Sequence, residues 1–232
     1  MNMRRWVKLP SEWIEDGGLH AFRWSMKEPG VGASEAAALM VLLAIAHRAD
    51  LGTGVARITY GELVAATGIS RSKIADGLDI LEARGVIVRC VAGRSTFALT
   101  SYGPGDRWAQ VPAKPLYDST GAIMAFEDFH LRKRAELDAL KIYLAIAARR
   151  DTQQNIAWMT YEKIRAYAGV EYGYIKPALG LLNINHLITV DTKLRADGEH
   201  GVVNGYRLRH IDSRQHAGTT GRAFLGEPTN LP

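Results

Sequence analysis

Ser70, Arg71, Ser72 and Lys73 follow Gly68-Ile69, where a helix is set to begin. Two hydroxyls and two cations on a first helical turn are donors for an anionic oxygen. The planar fork of Arg71 fits a phosphate or the edge of a guanine equally well. The same place 101 residues later reads Glu171-Tyr172-Gly173-Tyr174-Ile175-Lys176, so two phenols and an ammonium stand where copy one has hydroxyls and cations. Three further cations, Arg94, Lys193 and Arg195, fall at the turns of two expected hairpins, a placement suited to phosphates or a narrow minor groove. Each of these groups also serves as an ordinary solvated charge. What lifts them above that reading is their place in a repeated pattern.

Bond-making chemistry has no comparable support. The chain has no GxxxxGK phosphate loop, no HExxH and no His/Cys pair at metal spacing among its seven scattered histidines. Tyr172 and Tyr174 lack the histidine cluster that a tyrosine nuclease would need. The single Cys90 excludes an internal disulfide, and its alternating apolar neighbours predict a buried structural thiol. Glu127-Asp128 reads as a helix start. No catalytic residue, cofactor or metal is expected. The longest apolar run, Ala36–Ala46, is shorter than the roughly 20 residues that cross a bilayer. No apolar stretch follows Arg4-Arg5, so a soluble cytoplasmic protein with no membrane partner is expected.

The chain repeats itself. Leu39–Arg89 lies over Leu140–Val190 without a gap, LMVLLAIAHRAD on LKIYLAIAARRD and ITYGELVAATGI on MTYEKIRAYAGV, with 16 of 51 positions identical. Upstream, Arg5-Trp6-Val7-Lys8-Leu9-Pro10 matches Arg107-Trp108-Ala109-Gln110-Val111-Pro112. Two copies are too few for a solenoid, so this is a duplicated domain. The expected units are 1–103 and 104–211, each opening on an Arg-Trp-x-x-apolar-Pro lead-in, with a flexible Gly/Thr/Pro-rich tail over 212–232.

Within copy one, Ser34–Arg48 is apolar almost all round and predicts a central buried helix. Thr59-Tyr60-Gly61-Glu62 spells a capping box, Gly68 suits a left-handed helix end, and Ser70 can cap the next helix. Ile69 and Ile74 form a hydrophobic staple, and Ile74, Leu78 and Leu81 set one apolar stripe on the core. Gly77 in that helix costs about 1 kcal/mol against alanine with no reason visible in the sequence. Val86–Val91 and Ser95–Ser101 then alternate as a hairpin. Copy two predicts helices near 132–150, 160–168 and 173–185, and strands near 187–192 and 203–210. Pro177 conflicts with a helix through that position unless the helix starts near Lys176.

Helix, helix–turn–helix, hairpin, carried by ITYGELVAATGISRSKIADGLDILEARGVIVR, resembles the winged helix–turn–helix of bacterial regulators and of plasmid and phage replication-initiation proteins. The lead-in WVKLPSEWI is similar to the segment that precedes that domain in the replication group. The fold so implied is α+β and mainly helical, two tandem winged helices. The function so implied is sequence-specific binding of double-stranded DNA, in replication initiation or control of a mobile element. A repressor on an inverted repeat is the near alternative; a winged-helix pair that docks proteins is the alternative of another class. Partners then include a homodimer mate or the replication or transcription machinery, in a bacterial cytoplasm on plasmid or nucleoid. Residues 33–103 carry seven Lys/Arg against six Asp/Glu, and 132–211 carry thirteen against eight. Copy one is therefore expected to supply more of the base reading, and copy two more of the phosphate affinity.

Overall fold

The computed structural model describes residues 3–90, 93, 95–194 and 202–212. It is α+β, with seven α-helices and three small sheets among the described residues. Copy one supplies β1 (Trp6–Pro10), α1 (Glu12–Glu15), α2 (Val31–Arg48), β2 (Val55–Arg57), α3 (Tyr60–Thr67), α4 (Arg71–Ala83), β3 (Ile87–Arg89) and β4 (Thr96–Leu99). Copy two supplies β5 (Trp108–Pro112), α5 (Arg134–Arg149), β6 (Ala157–Trp158), α6 (Tyr161–Ala168), α7 (Tyr172–Ile184), β7 (Ile188–Leu194) and β8 (Val202–Leu208). Both copies run helix, strand, helix, helix, strand, strand, and both sheets place the last strand in the middle, β2-β4-β3 and β6-β8-β7.

The repeat holds at the level of single residues. Helices α3 and α6, and likewise α4 and α7, begin and end 101 residues apart. Left-handed backbone recurs at the same offset, Gly54 with Asn155, Gly68 with Gly169, and Gly85 with His186. Asn155 and His186 therefore hold a conformation that glycine holds in the other copy, a strain the surrounding fold sustains.

Local signals explain the helix ends. Thr59 accepts from the Glu62 amide while Glu62 accepts from Thr59 N–H, which closes the capping box at α3. Ser70 accepts from the Lys73 amide at 3.3 Å. Ile69, Ile74, Leu78 and Leu81 are buried as the pattern requires. Helix α2 begins earlier than expected, and Ala36–His47 are all buried. By length and apolarity it could cross a membrane, but 78% of it is enclosed within the molecule. Helix α7 corrects the reading of Pro177, because it begins at Tyr172 and runs through the proline. The proline removes the amide that would bond the Gly173 carbonyl, and both residues face water, which satisfies the freed oxygen. Glu127 and Asp128 start no helix; Glu136 caps α5 by accepting the amides of Leu131, Arg132 and Lys133. Cys90 is half-buried, more open than its neighbours predict.

The lead-ins do not stay with their own copies. Strands β1 and β5 form an antiparallel ribbon with Trp6 opposite Pro112, Lys8 opposite Gln110 and Pro10 opposite Trp108. Because Trp6 matches Trp108 and Pro10 matches Pro112 in the repeat, exchanging the copies maps the ribbon onto itself. Two equivalent bonds extend it, Ser11 N–H to the Arg107 carbonyl and Ala113 N–H to the Arg5 carbonyl, both 2.9 Å. An approximate two-fold axis thus passes through the Lys8–Gln110 pair. Around it α2 packs on α5, and the hydrophobic core is continuous through both copies.

Gly77 is explained by packing. A Cβ there would lie 3.0 Å from the Cα and N of Ala38 on α2, since α2 and α4 cross with their backbones almost touching. Gly77→Ala should therefore lower unfolding free energy by about 1–3 kcal/mol in spite of the better helix former. A urea titration showing equal or greater stability would refute the close crossing.

His47 supplies a second test. Burial pushes its imidazole down to about 3, and its Nδ1 meets the Tyr117 hydroxyl at 3.1 Å. The unfolded chain takes up a proton near pH 6.5 that the folded chain refuses, so stability is full above that pH and declines below it. Between pH 6.5 and 4.5 this group should remove up to about 2.7 kcal/mol. Denaturant titrations of His47→Asn across that window should show a flatter slope; an unchanged slope would contradict the assignment.

Candidate nucleic-acid interface

The first turn of α4 carries the residues singled out by sequence. Ser70, Arg71 and Ser72 are exposed, while Ile74, three residues beyond Arg71, points into the core. Arg71 has no ion pair or side-chain hydrogen bond among those of the described residues, so its guanidinium is open to a ligand. The amides of this turn and the positive end of the helix face the same way, an arrangement that favours anions.

Lys73 is placed differently. Its ammonium lies 3.0 Å from Asp76 Oδ2 and 2.8 Å from Ser34 Oγ, and the Ser34 hydroxyl donates to Asp76 at 2.8 Å. The hydrogen bonds from Lys73 and then Ser34 hold the Asp76 carboxyl below the usual carboxylate range. This triad fastens the start of α4 to the start of α2, and most of the charge of Lys73 is spent inside it. Asp76 is thereby the ion-pair partner of Lys73.

In copy two, Glu171, Tyr172, Tyr174 and Lys176 are all exposed on the first turns of α7. The helix brings few cations of its own, and neighbouring elements supply them. The Arg134 guanidinium of α5 lies 3.6 Å over the Tyr174 ring, and Arg165 of α6 lies 5.5 Å over Tyr172. Arg165 also pairs with Glu171 at 3.1 Å, and Arg134 with the buried Asp138 at 3.0 Å. The result is an aromatic pair edged with guanidinium groups, worth about 0.5–2 kcal/mol per cation–ring contact.

Of the hairpin cations, Lys193 is exposed and lies 4.1 Å over the Trp158 ring. Arg94 and Arg195 lie outside the described residues. Arg207 on β8 pairs with Asp191 across the hairpin at 2.6 Å, and Arg89 on β3 is held by Asp79 and Glu82. These side chains serve the hairpins as struts.

Sequence reasoning missed what the crossed lead-ins bring. After β1 the chain passes to copy two, where His20 Nε2–H donates to the Ala166 carbonyl of α6 at 2.7 Å. After β5 it passes to copy one, where Ile123 N–H donates to the Ala66 carbonyl of α3 at 2.9 Å. Each helix pair, α3–α4 and α6–α7, is thereby clamped by the other copy's lead-in. The crossings also deliver cations. Arg23 lines a cleft of about 650 Å³ beside Glu171 and Tyr172, and Arg132 lines one of about 550 Å³ beside Ser70 and Lys73. No spacing rule ties Arg23 to residue 172 or Arg132 to residue 70, because the link is made by tertiary exchange. The chain matches no protein-family model, and no curated protein resembles it closely enough to indicate a relative.

The clamp has an internal control. Gly68 and Gly169 hold the same left-handed turn, but a Cβ at Gly68 meets nothing within 4 Å while one at Gly169 would lie 2.9 Å from His20 Cγ. Gly68→Ala should cost about 1 kcal/mol for backbone strain, and Gly169→Ala clearly more, because His20 must leave α6. Equal losses in parallel thermal melts would show that the crossing does not bear on the turn.

Proposed function

We propose that the chain is a sequence-specific double-stranded-DNA-binding protein made of two winged helix–turn–helix units fused about a pseudo-two-fold axis. The observation that carries this reading is the unpaired Arg71 on the exposed first turn of α4, in an element order that occurs twice. In a helix–turn–helix the second helix meets the major groove by its N-terminal end, and the hairpin flanks the backbone. The buried Ile74/Leu78/Leu81 stripe turns that polar end outward. The surplus of cations in copy two provides phosphate affinity that depends on salt.

The pseudo-two-fold gives the reading a geometric consequence. Helices α4 and α7 are related as the two recognition helices of a symmetric dimer are, yet both belong to one chain. Their N-terminal turns differ, Ser-Arg-Ser-Lys against Glu-Tyr-Gly-Tyr. One chain therefore occupies one site built of two unlike half-sites in inverted orientation. Action at the replication origin of a plasmid or another mobile element is the role we assign; repetition of such a site along an origin suits a reader that is complete as a monomer. The inverted arrangement supports a second reading, a repressor on a single operator.

Selection of bound fragments from random DNA supplies the ligand for a direct test. Arg71→Ala should weaken binding to the selected duplex by about 5–150-fold, equivalent to 1–3 kcal/mol, and affect random duplex little. Lys73→Ala should change affinity far less, because its ammonium is already engaged. Lys176→Ala should lower the salt slope by about one. Sedimentation should find one chain per site. Equal loss on selected and random DNA for Arg71→Ala would overturn base reading by α4, and footprints in tandem array would favour the origin over the operator.

A further inference from the structure

The cleft of about 650 Å³ lies between the crossing segment of copy one and the helix–turn–helix of copy two. Its depth holds two charged side chains that the fold does not demand. Lys141 and Asp138 are 3% and 2% exposed, whereas the matching positions of copy one are Met40 and Ala37, both fully buried. The same helix, in the same packing, is therefore satisfied by apolar residues, and burying ions there carries a desolvation penalty. Burial lowers the Lys141 ammonium to about 8, which registers that penalty.

Lys141 gives two of its three N–H bonds to the Phe22 and Gly169 carbonyls, at 2.9 and 3.3 Å. The third is left for an acceptor in the cleft. Asp138 pairs with Arg134 at 3.0 Å, and its carboxylate also favours the charged form of Lys141. Arg23 lines the same cavity, with its Nε donating to the His20 carbonyl and its terminal nitrogens open. Trp24 and Tyr172 add two ring faces, and Glu162 and Glu171 stand on the same wall. The volume falls in the usual range for small-molecule sites.

We propose that this cleft binds a small aromatic molecule bearing a single carboxylate or phosphomonoester, with the anion on Lys141 and Arg23 and the ring against Trp24 and Tyr172. Because Tyr172 opens α7, an occupant braces that helix start and the crossing at once. Binding of the ligand stands independently of DNA recognition; its role as an effector rests on the function proposed above.

The test is isothermal titration calorimetry on the full chain without DNA, using phenyl phosphate, benzoate and neutral benzyl alcohol as probes. At least one anionic probe should saturate at one site per chain, with benzyl alcohol at least tenfold weaker. Lys141→Met, which imitates copy one and should melt no lower than the wild type, and Arg23→Gln should each weaken the anion at least tenfold. Arg71→Ala should leave it unchanged. Absence of saturation by either anion at millimolar concentration overturns the proposal, as does wild-type affinity in both variants. A third overturning outcome is weaker duplex binding in both variants with no probe bound, which would assign the cleft to backbone phosphate. Probe binding in a protein that selects no DNA would uphold the site and sink only the function.

Discussion

A helix that is apolar on every side has to be enclosed on every side, and this condition on α2 governs the molecule. Its own copy covers part of it with α3, α4 and β2. The remaining side is closed by α5, the equivalent helix of the other copy, and by strand β1. Burying a run such as Leu39–Ile45 is worth about 1.5–3 kcal/mol for each large side chain. Separating the copies would return part of that surface to water. The duplication is thus two copies of one motif enclosing a single shared core, and the β1–β5 ribbon with its stacked Trp6 and Trp108 rings ties the two lead-ins together across the axis.

Exchange of the lead-ins converts a packing requirement into a coupling between sites. Ala21 and Phe22 lie where four elements meet. The Arg84 guanidinium pairs with Glu35 on α2 at 2.6 and 2.7 Å, donates to the Ala21 carbonyl and covers the Phe22 ring. From the other copy, Lys141 takes the Phe22 carbonyl and the Gly169 carbonyl together. The C-terminal end of α4 and the turn before α7 are therefore joined through one dipeptide. A displacement of α4 or α7 has a short route to the other, through polar contacts that are specific in geometry and, for Lys141 and Glu35, shielded from water.

What could be read in the sequence was whatever depends on neighbours along the chain. The capping box at Thr59, the left-handed Gly68, the Ser70 cap and the Ile74/Leu78/Leu81 stripe are local, and each stands where its pattern places it. The repeat at 101 residues was legible because duplication leaves a fixed offset. Contacts between distant segments left no such trace. Gly77 looked like a helix defect until Ala38 was found 3.0 Å away, and Lys73 looked like a solvated charge until Ser34 and Asp76 closed the triad. Pro177 was weighed as a helix breaker because sequence does not show that Gly173 and the proline both face water. Arg23 and Arg132 were invisible as site residues, since only the crossing of the lead-ins carries them beside the opposite helix–turn–helix.

Fusion explains why the two halves differ where they do. In a homodimer, a substitution at the start of a recognition helix appears twice, and both half-sites must accept it. In one chain with an internal two-fold, each half can change by itself provided the shared core is kept. The core positions are kept, Ile74 with Ile175, Leu78 with Leu179 and Leu81 with Leu182. The exposed turn is not: Arg71 stands against Tyr172, and Lys73 against Tyr174. Copy one retains a bare guanidinium, and copy two replaces it with phenol rings edged by Arg134 and Arg165. The charged floor of the larger cleft belongs to the same divergence, because Lys141 and Asp138 occur only in the copy whose α7 carries tyrosines where α4 carries Arg71 and Lys73. A kept core beneath a diverged surface is what an internal two-fold permits, because either exposed turn can change without disturbing the packing that both copies share.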